Sequence, residues 1–282
     1  MSADPDQFRA DSRDRWERAA QGWEERRDAH QRDAQPVSVW LVEHVEPQPG
    51  YRILELAAGV GDTGLLAAEL VQPGGSVLIT DGAEAMVEAA KRRAQELGAN
   101  NVEVRQMEAE WIDLPAASVD GVVCRWGYML LADPAAAFRE TRRVLRPGGR
   151  VALAAWTDFD ANPWFNVVSR ALGEDPRSPG GDGEPGPFAF SRPGTIESLL
   201  EDAGFDEIHV EALDFVNRMA SKDEYFEHQR AMSTRFRETL ERLSPAEHTR
   251  VRDTIDELLE DHTGPDGSVV LPARTWVATA LG

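Results

Sequence analysis

The chain has 282 residues, 41% of them hydrophobic, enough for one large α/β unit with insertions and a substantial core. Thirty basic against fifty acidic residues give a formal charge of −20, which argues against DNA- or RNA-binding roles, because phosphate binding needs clustered Lys and Arg. No apolar run approaches the roughly 20 residues of a membrane span, the start Met1-Ser2-Ala3-Asp4 has no basic stretch followed by an apolar one, and the single Cys124 excludes an internal disulfide, so a cytoplasmic protein without stable membrane insertion is expected.

The first forty residues are highly charged and carry Trp16 and Trp23, whose spacing puts both on one helical face. The stretch 51–57 reads as a buried strand, Ile53-Leu54-Glu55-Leu56, breaking into the turn Ala57-Ala58-Gly59-Val60-Gly61-Asp62-Thr63-Gly64 that opens a helix over 62–72. Glycine suits such a turn because it reaches positive φ freely and lets backbone approach a ligand, and in open α/β sheets ligands sit beyond the carboxyl ends of strands. Gly59, Gly61 and Gly64 also match the G-x-G-x-x-G of dinucleotide-binding proteins literally. Glu55 separates the two readings: its carboxylate repels a pyrophosphate and attracts a ligand bearing a cationic amine and a sulfonium. A second strand near 75–81 ends in Asp81, compatible with either ligand, and a helix over 83–98 follows with Met86, Ala90, Ala94 and Leu97 at helical spacing. A third strand near 101–107 leads into Glu108-Ala109-Glu110. A fourth near 119–125, a helix over 134–145 and a fifth strand near 149–156 complete an alternation that implies parallel pairing through right-handed crossovers.

Taken in order, Glu55-Leu56-Ala57-Ala58-Gly59-Val60-Gly61, Val77-Leu78-Ile79-Thr80-Asp81, Met107-Glu108-Ala109-Glu110, Asp113-Leu114-Pro115, Ser118-Val119-Asp120 and Arg143-Val144-Leu145-Arg146-Pro147-Gly148-Gly149 resemble the class I S-adenosylmethionine (SAM)-dependent methyltransferases. The resemblance is to the ubiquinone/menaquinone-biosynthesis group, methyltransferase type 11, and covers residues 50 to 157. It implies an α/β fold: a Rossmann-like seven-stranded sheet with helices on both faces, preceded by N-terminal helices that fold over the cofactor. It implies SAM as cofactor, S-adenosylhomocysteine as product and no metal. Glu55, Ala57, Gly59 and Gly61 would hold the methionine end, Ala57 standing where the family has glycine. Asp81 with Gly82 would bind the ribose hydroxyls, and Met86 would pack on the adenine, though ordinary helix packing explains Met86 equally well. Glu108, in place of the family's aspartate, and the backbone of Ala109 would read the adenine edge. Arg125 and Trp23 complete the expected cofactor set, while the bland reading of the tryptophan pair is an anchor to the sheet.

Beyond the fifth strand, the run from Gly173 to Pro187 is too rich in Gly and Pro for regular structure. A helix near 193–203, a strand near 205–216, helices within 222–262 and a last strand in 268–278 follow. The expected organisation is an N-terminal cover (1–45), a cofactor-binding core (46–157), a lid loop (158–192) and a sheet completion (193–282) carrying an inserted acceptor-side cap (222–262). Trp126 and Tyr128 after strand four, and Trp156, Asn162 and Trp164 after strand five, are the expected acceptor-binding residues, since aromatic groups suit an apolar acceptor or the sulfonium itself. Of six scattered histidines, His228 in the cap and then His30 are the candidate general bases. No His, Cys or carboxylate spacing suggests a metal site. The expected function is in-line methyl transfer to a small organic acceptor, quinone-like or a natural-product intermediate, with the oligomeric state open. The alternatives are a nicotinamide-dependent oxidoreductase using the literal glycine pattern and a non-catalytic SAM-binding module.

Overall fold

The structure, a computed structural model, describes residues 4–174 and 184–282. Among the described residues the element order is α1 (Pro5–His44), β1 (Arg52–Glu55), α2 (Asp62–Leu70), β2 (Ser76–Asp81), α3 (Glu84–Glu96), β3 (Val102–Gln106), β4 (Val119–Arg125), α4 (Pro134–Val144), β5 (Leu145–Trp156), α5 (Pro163–Ala171), α6 (Thr195–Asp202), β6 (Asp206–Met219), α7 (Lys222–Met232), α8 (Thr234–Arg242), α9 (Pro245–Leu258) and β7 (Val269–Leu281). The seven strands form one sheet in the order β3-β2-β1-β4-β5-β7-β6. Strands β1 to β5 pair in parallel, and β7 lies antiparallel between β5 and β6. From β1 the chain first steps outward to β2 and β3, then returns to β4 and moves the other way to β5. Right-handed crossovers therefore place the connecting helices on opposite faces and open a crevice beyond the carboxyl ends of β1 and β4. Ile53, Leu54, Val122, Val123 and Val151 are fully buried, the pattern of central parallel strands covered on both faces.

The N-terminal cover is one continuous helix of 40 residues rather than several, about 60 Å long at 1.5 Å per residue. Asp4 caps it by accepting the Asp6 N–H, and Pro5 stands in the first turn, where a missing N–H costs nothing. Its second half buries Val37, Leu41 and Val42 in the main core, and its first half runs across α3, with Ala19 and Ala20 packed near Met86. Gly22 sits where the helix crosses the end of α7. A Cβ there would collide with the Ala231 carbonyl, so only glycine permits this approach.

The 158–192 stretch is not all loop. Trp164, Val167 and Val168 give an apolar stripe that folds as α5 behind Pro163 and packs into the cap. Most of the Gly/Pro-rich run expected as a lid, residues 175–183, lies outside the described residues. The cap of α7, α8 and α9 has its own small core of Tyr225, Phe226, Phe236, Leu240, Val251 and Ile255. Ser244 and Glu247 form a reciprocal capping box that starts α9, worth about 1 kcal/mol. The whole insertion leaves the sheet at Met219 and re-enters at Val269, and these two residues are register partners in the β6–β7 pair.

Candidate active site

The turn after β1 is built from residues in unusual backbone conformations. Ala57 has φ 48°, Gly59 56° and Gly61 82°. Gly59 lines a cavity, and a Cβ on it would lie 4.0 Å from the Trp23 ring, so a side chain here would intrude on that space. Gly61 does not approach the cavity as expected. It caps α2, and a Cβ on it would press on Ile79 at 3.2 Å. The two carboxylates of the site hold this turn. Asp81 accepts the Gly59 N–H at 2.8 Å and the Ala83 N–H at 2.9 Å, while Glu55 accepts the Gly64 N–H at 2.9 Å.

The cavity, about 130 Å³, runs along the carboxyl ends of β1, β2 and β4 beneath α1. Glu55, Ala57 and Arg125, with Asp81, Gly82 and Met86 and with Glu108, Glu110 and Leu131, are among the residues that line it. Phe8, Arg9, Arg13, Trp16, Trp23 and His30 of α1 roof it. The roof is tied down by charge: Arg13 pairs with Glu108 at 2.6 Å, Arg9 with Glu110 at 2.5 Å, and Glu17 accepts the N–H groups of Glu84 and Ala85 at the start of α3. The last contact places an anion at a helix N-terminus, where unpaired N–H groups and the helix dipole favour it.

Burial dominates the electrostatics. It pushes Glu55 up to about 8, against the pull of Arg125 and the Gly64 N–H. It pushes Asp81 up to about 6, against the Ala83 and Gly59 hydrogen bonds. Burial also lowers Arg125, whose nearest balancing charges are Asp62 and Glu55. The Arg125 guanidinium donates to Gln31 at 2.8 Å and Ser38 at 2.7 Å, both on α1.

Trp126 follows β4 with φ 61°, a conformation rare for a bulky residue. Its ring stacks on Trp156 at 4.3 Å, and its indole N–H donates to Thr275. His30 lies edge-on between Trp23 and Trp126, with centroids at 5.0 and 5.8 Å. Its Nε2 is buried without a hydrogen-bond partner among the described residues. Burial, then Arg125 and His228, hold this imidazole well below the ordinary histidine range.

Several expected residues stand elsewhere. His228, the first candidate base, does not line the cavity; it faces α1 from α7, where burial lowers it to about 4, helped by Arg26 and offset by Asp33 and Glu224. Tyr128 is core: its hydroxyl pairs with Thr141 at 2.6 Å and its ring stacks on Phe138. Asn162 is fully buried and spent on structure, its amide donating to Thr157, Asp158 and Arg274 and its oxygen accepting from Trp164 and Arg274. Trp156 and Trp164 form layers behind Trp126 instead of cavity wall. Ala109 is buried beside the site without lining it. The cavity residues that motif reasoning missed include Phe8, Arg9, Arg13, Glu110 and Leu131, and nothing local in the sequence pairs Arg9 with Glu110 or Arg13 with Glu108. Among the described residues no group of three His, Cys, Asp or Glu is placed to hold a metal ion.

A mixed sheet in this order, parallel from β1 to β5 with β7 antiparallel, with a glycine turn after the first strand and an acid ending the second, defines the class I methyltransferase fold. Residues 56–153 match the model of the methyltransferase domain family, type 11. The chain is similar to nocamycin O-methyltransferase of Saccharothrix syringae, 38% identical over 118 residues, 42% of each chain. It is also similar to the ubiquinone/menaquinone biosynthesis C-methyltransferase UbiE of Pasteurella multocida, 34% identical over 121 residues, 43% of this chain and 45% of that one. The chain spans less than half the length of these curated relatives. The solved structure of the YcgJ protein from Bacillus subtilis superposes with a TM-score of 0.57 over 86% of this chain and 97% of that one, at 20% identity, a likeness of fold.

Proposed function

We propose that this chain is a SAM-dependent methyltransferase acting on a small organic acceptor, a quinone-like molecule or a natural-product intermediate. The observation that carries the reading is the convergence of Glu55, Asp81 and Glu108, each from the end of a different parallel strand, on one narrow cavity at the topological switch point. In that reading Glu55 and Arg125 hold the ammonium and carboxylate of the methionine end over Ala57 and Gly59. Asp81 and Gly82 take the ribose hydroxyls, Met86 packs on the adenine, and Glu108 with the Ala109 backbone meets its edge. When bound, SAM supplies a methyl group made electrophilic by the adjacent sulfonium. The residues of this chain then have three tasks: to align an acceptor with the methyl, to exclude water, and to offer polarisable aromatic faces to a cation. Trp23 and Trp126 stand where they serve the second and third. The type 11 domain at residues 56–153 supports methyl transfer over hydride transfer.

Calorimetric titration with SAM, S-adenosylhomocysteine and NADH tests the reading. Micromolar binding of the first two, weakened strongly by Asp81→Ala, is the expected result. Binding of NADH alone would overturn it.

A further inference from the structure

Resting on the SAM reading above, we propose that the acceptor is a flat, hydroxyl-bearing molecule, a phenol or an enol, whose hydroxyl bonds to Nε2 of His30 between Trp23 and Trp126. Four buried side-chain polar atoms lack a partner among the described residues: His30 Nε2, Asp62 Oδ2, Arg93 Nε and Arg105 Nε. Of these residues only His30 lines the cavity. A buried polar atom left unpaired is costly, so a group that satisfies it on binding gains that free energy back.

The chemistry of the partner follows from the surroundings. The neutral imidazole has one N–H and one acceptor nitrogen, and a hydroxyl, being both donor and acceptor, fits either tautomer. An ammonium would be repelled by Arg125 and by a sulfonium in the same cavity, and a carboxylate, which cannot donate, fits only the Nε2–H tautomer and cannot pass a proton to the ring. The rings on either side of His30 stand edge-on to it at 5.0 and 5.8 Å, with Trp156 stacked behind Trp126, which favours a planar apolar body over a branched aliphatic one.

The transfer balances on these groups. The acceptor oxygen forms a bond to the methyl carbon as the carbon–sulfur bond breaks, the electron pair going to sulfur and the hydroxyl proton to His30 Nε2. Positive charge leaves sulfur and arrives on the imidazole, so the net charge of the buried site does not change during the step. Arg125 and His228, the charged and titratable neighbours that depress His30, then favour loss of the proton to solvent.

The test compares binding of naphthol and its methyl ether to the protein loaded with S-adenosylhomocysteine, in wild type, His30→Phe and His30→Gln. Naphthol is expected to bind about ten- to a hundredfold more tightly than the ether. His30→Phe should erase the preference, and His30→Gln, which keeps an acceptor oxygen, should retain part of it. Equal affinities in wild type, binding of neither compound, or a preference that survives His30→Phe overturns the proposal while the cofactor reading stands. Failure of wild type to bind S-adenosylhomocysteine removes the cofactor reading and this proposal with it.

Discussion

Gly64 donates its backbone N–H to the Glu55 carboxylate, and a Cβ on Gly64 would stand in the place that carboxylate occupies. The third glycine of the turn therefore exists to seat the acid that opens the motif, a role different from the close ligand approach of Gly59. Gly64→Ala should displace Glu55 and lower stability by about 1–3 kcal/mol. Thermal unfolding and S-adenosylhomocysteine titration should both register the change; a wild-type affinity in the mutant would contradict the placement.

Glu55 at about 8 and Asp81 at about 6 make the site a proton acceptor near neutrality. Both values are raised above those of the unfolded chain, so the folded protein binds more protons than the unfolded one between the ordinary carboxylate range and these values. Their contribution to stability is therefore present at low pH and is lost as pH rises through about 6 and then about 8. Ligand affinity runs the other way. An ammonium is held by the ionised Glu55, so S-adenosylhomocysteine binding should strengthen up to pH of about 8, by at most tenfold per unit. Glu55→Gln should flatten the binding profile and remove the upper step of the stability profile while leaving the Asp81 step, which calorimetry and pH-dependent melting can read.

The two ion pairs of the roof should differ in weight. Glu110 is buried, with one oxygen on Arg9 and the other on the Asp133 N–H, whereas Arg13 and Glu108 are both substantially exposed. Arg9→Ala leaves a buried carboxylate short of a partner and should cost about 1–3 kcal/mol. Arg13→Ala should cost about 0–1 kcal/mol and become indistinguishable from wild type in high salt. Denaturant melts at two ionic strengths separate the pair.

At the other end of the roof, Gly22→Ala forces α1 away from Ala231 and strains the Trp23 indole N–H bond to the Met232 carbonyl, 3.2 Å long. A loss of about 1–3 kcal/mol is expected, together with weaker S-adenosylhomocysteine binding because Trp23 covers Gly59. Calorimetry and thermal unfolding of the same sample test both arms.

Asn162→Ala should lower the melting temperature and leave S-adenosylhomocysteine affinity unchanged. Its amide joins the end of β5 to Arg274 on β7 and to Trp164, none of which lines the cavity.

What the sequence revealed divides by distance along the chain. Strand β1, its turn and helix α2 are written in contiguous residues, because buried runs and positive-φ glycines act locally; the same holds for β2 ending in Asp81. The roof was only partly legible. Trp16 and Trp23 announced a face, but Arg9 meets Glu110 about a hundred residues away, and no local rule pairs them. Position after a strand misled for Tyr128 and Asn162, whose polar atoms are consumed by Thr141 and Arg274, partners that only tertiary folding supplies. His30 and His228 looked alike as isolated histidines; their separation into cavity wall and outer neighbour depends on how α1 crosses α7. The 40-residue span of α1 was hidden by its heavy charge and by Pro36, which the finished helix tolerates.

The cap departs at Met219 and returns at Val269, two positions that already face each other across one rung of the β6–β7 ladder. Its attachment thus adds almost nothing to the closure of the hairpin, and a tight turn joining those two residues would leave the strand register intact. The fifty or so residues between them form a head joined to the sheet at one rung and packed on α1 and α5. Chimaeras that trade this head between related sheets should keep the methyl-donor half folded and alter what it serves, provided the new head again presents a bare stretch of main chain to Gly22.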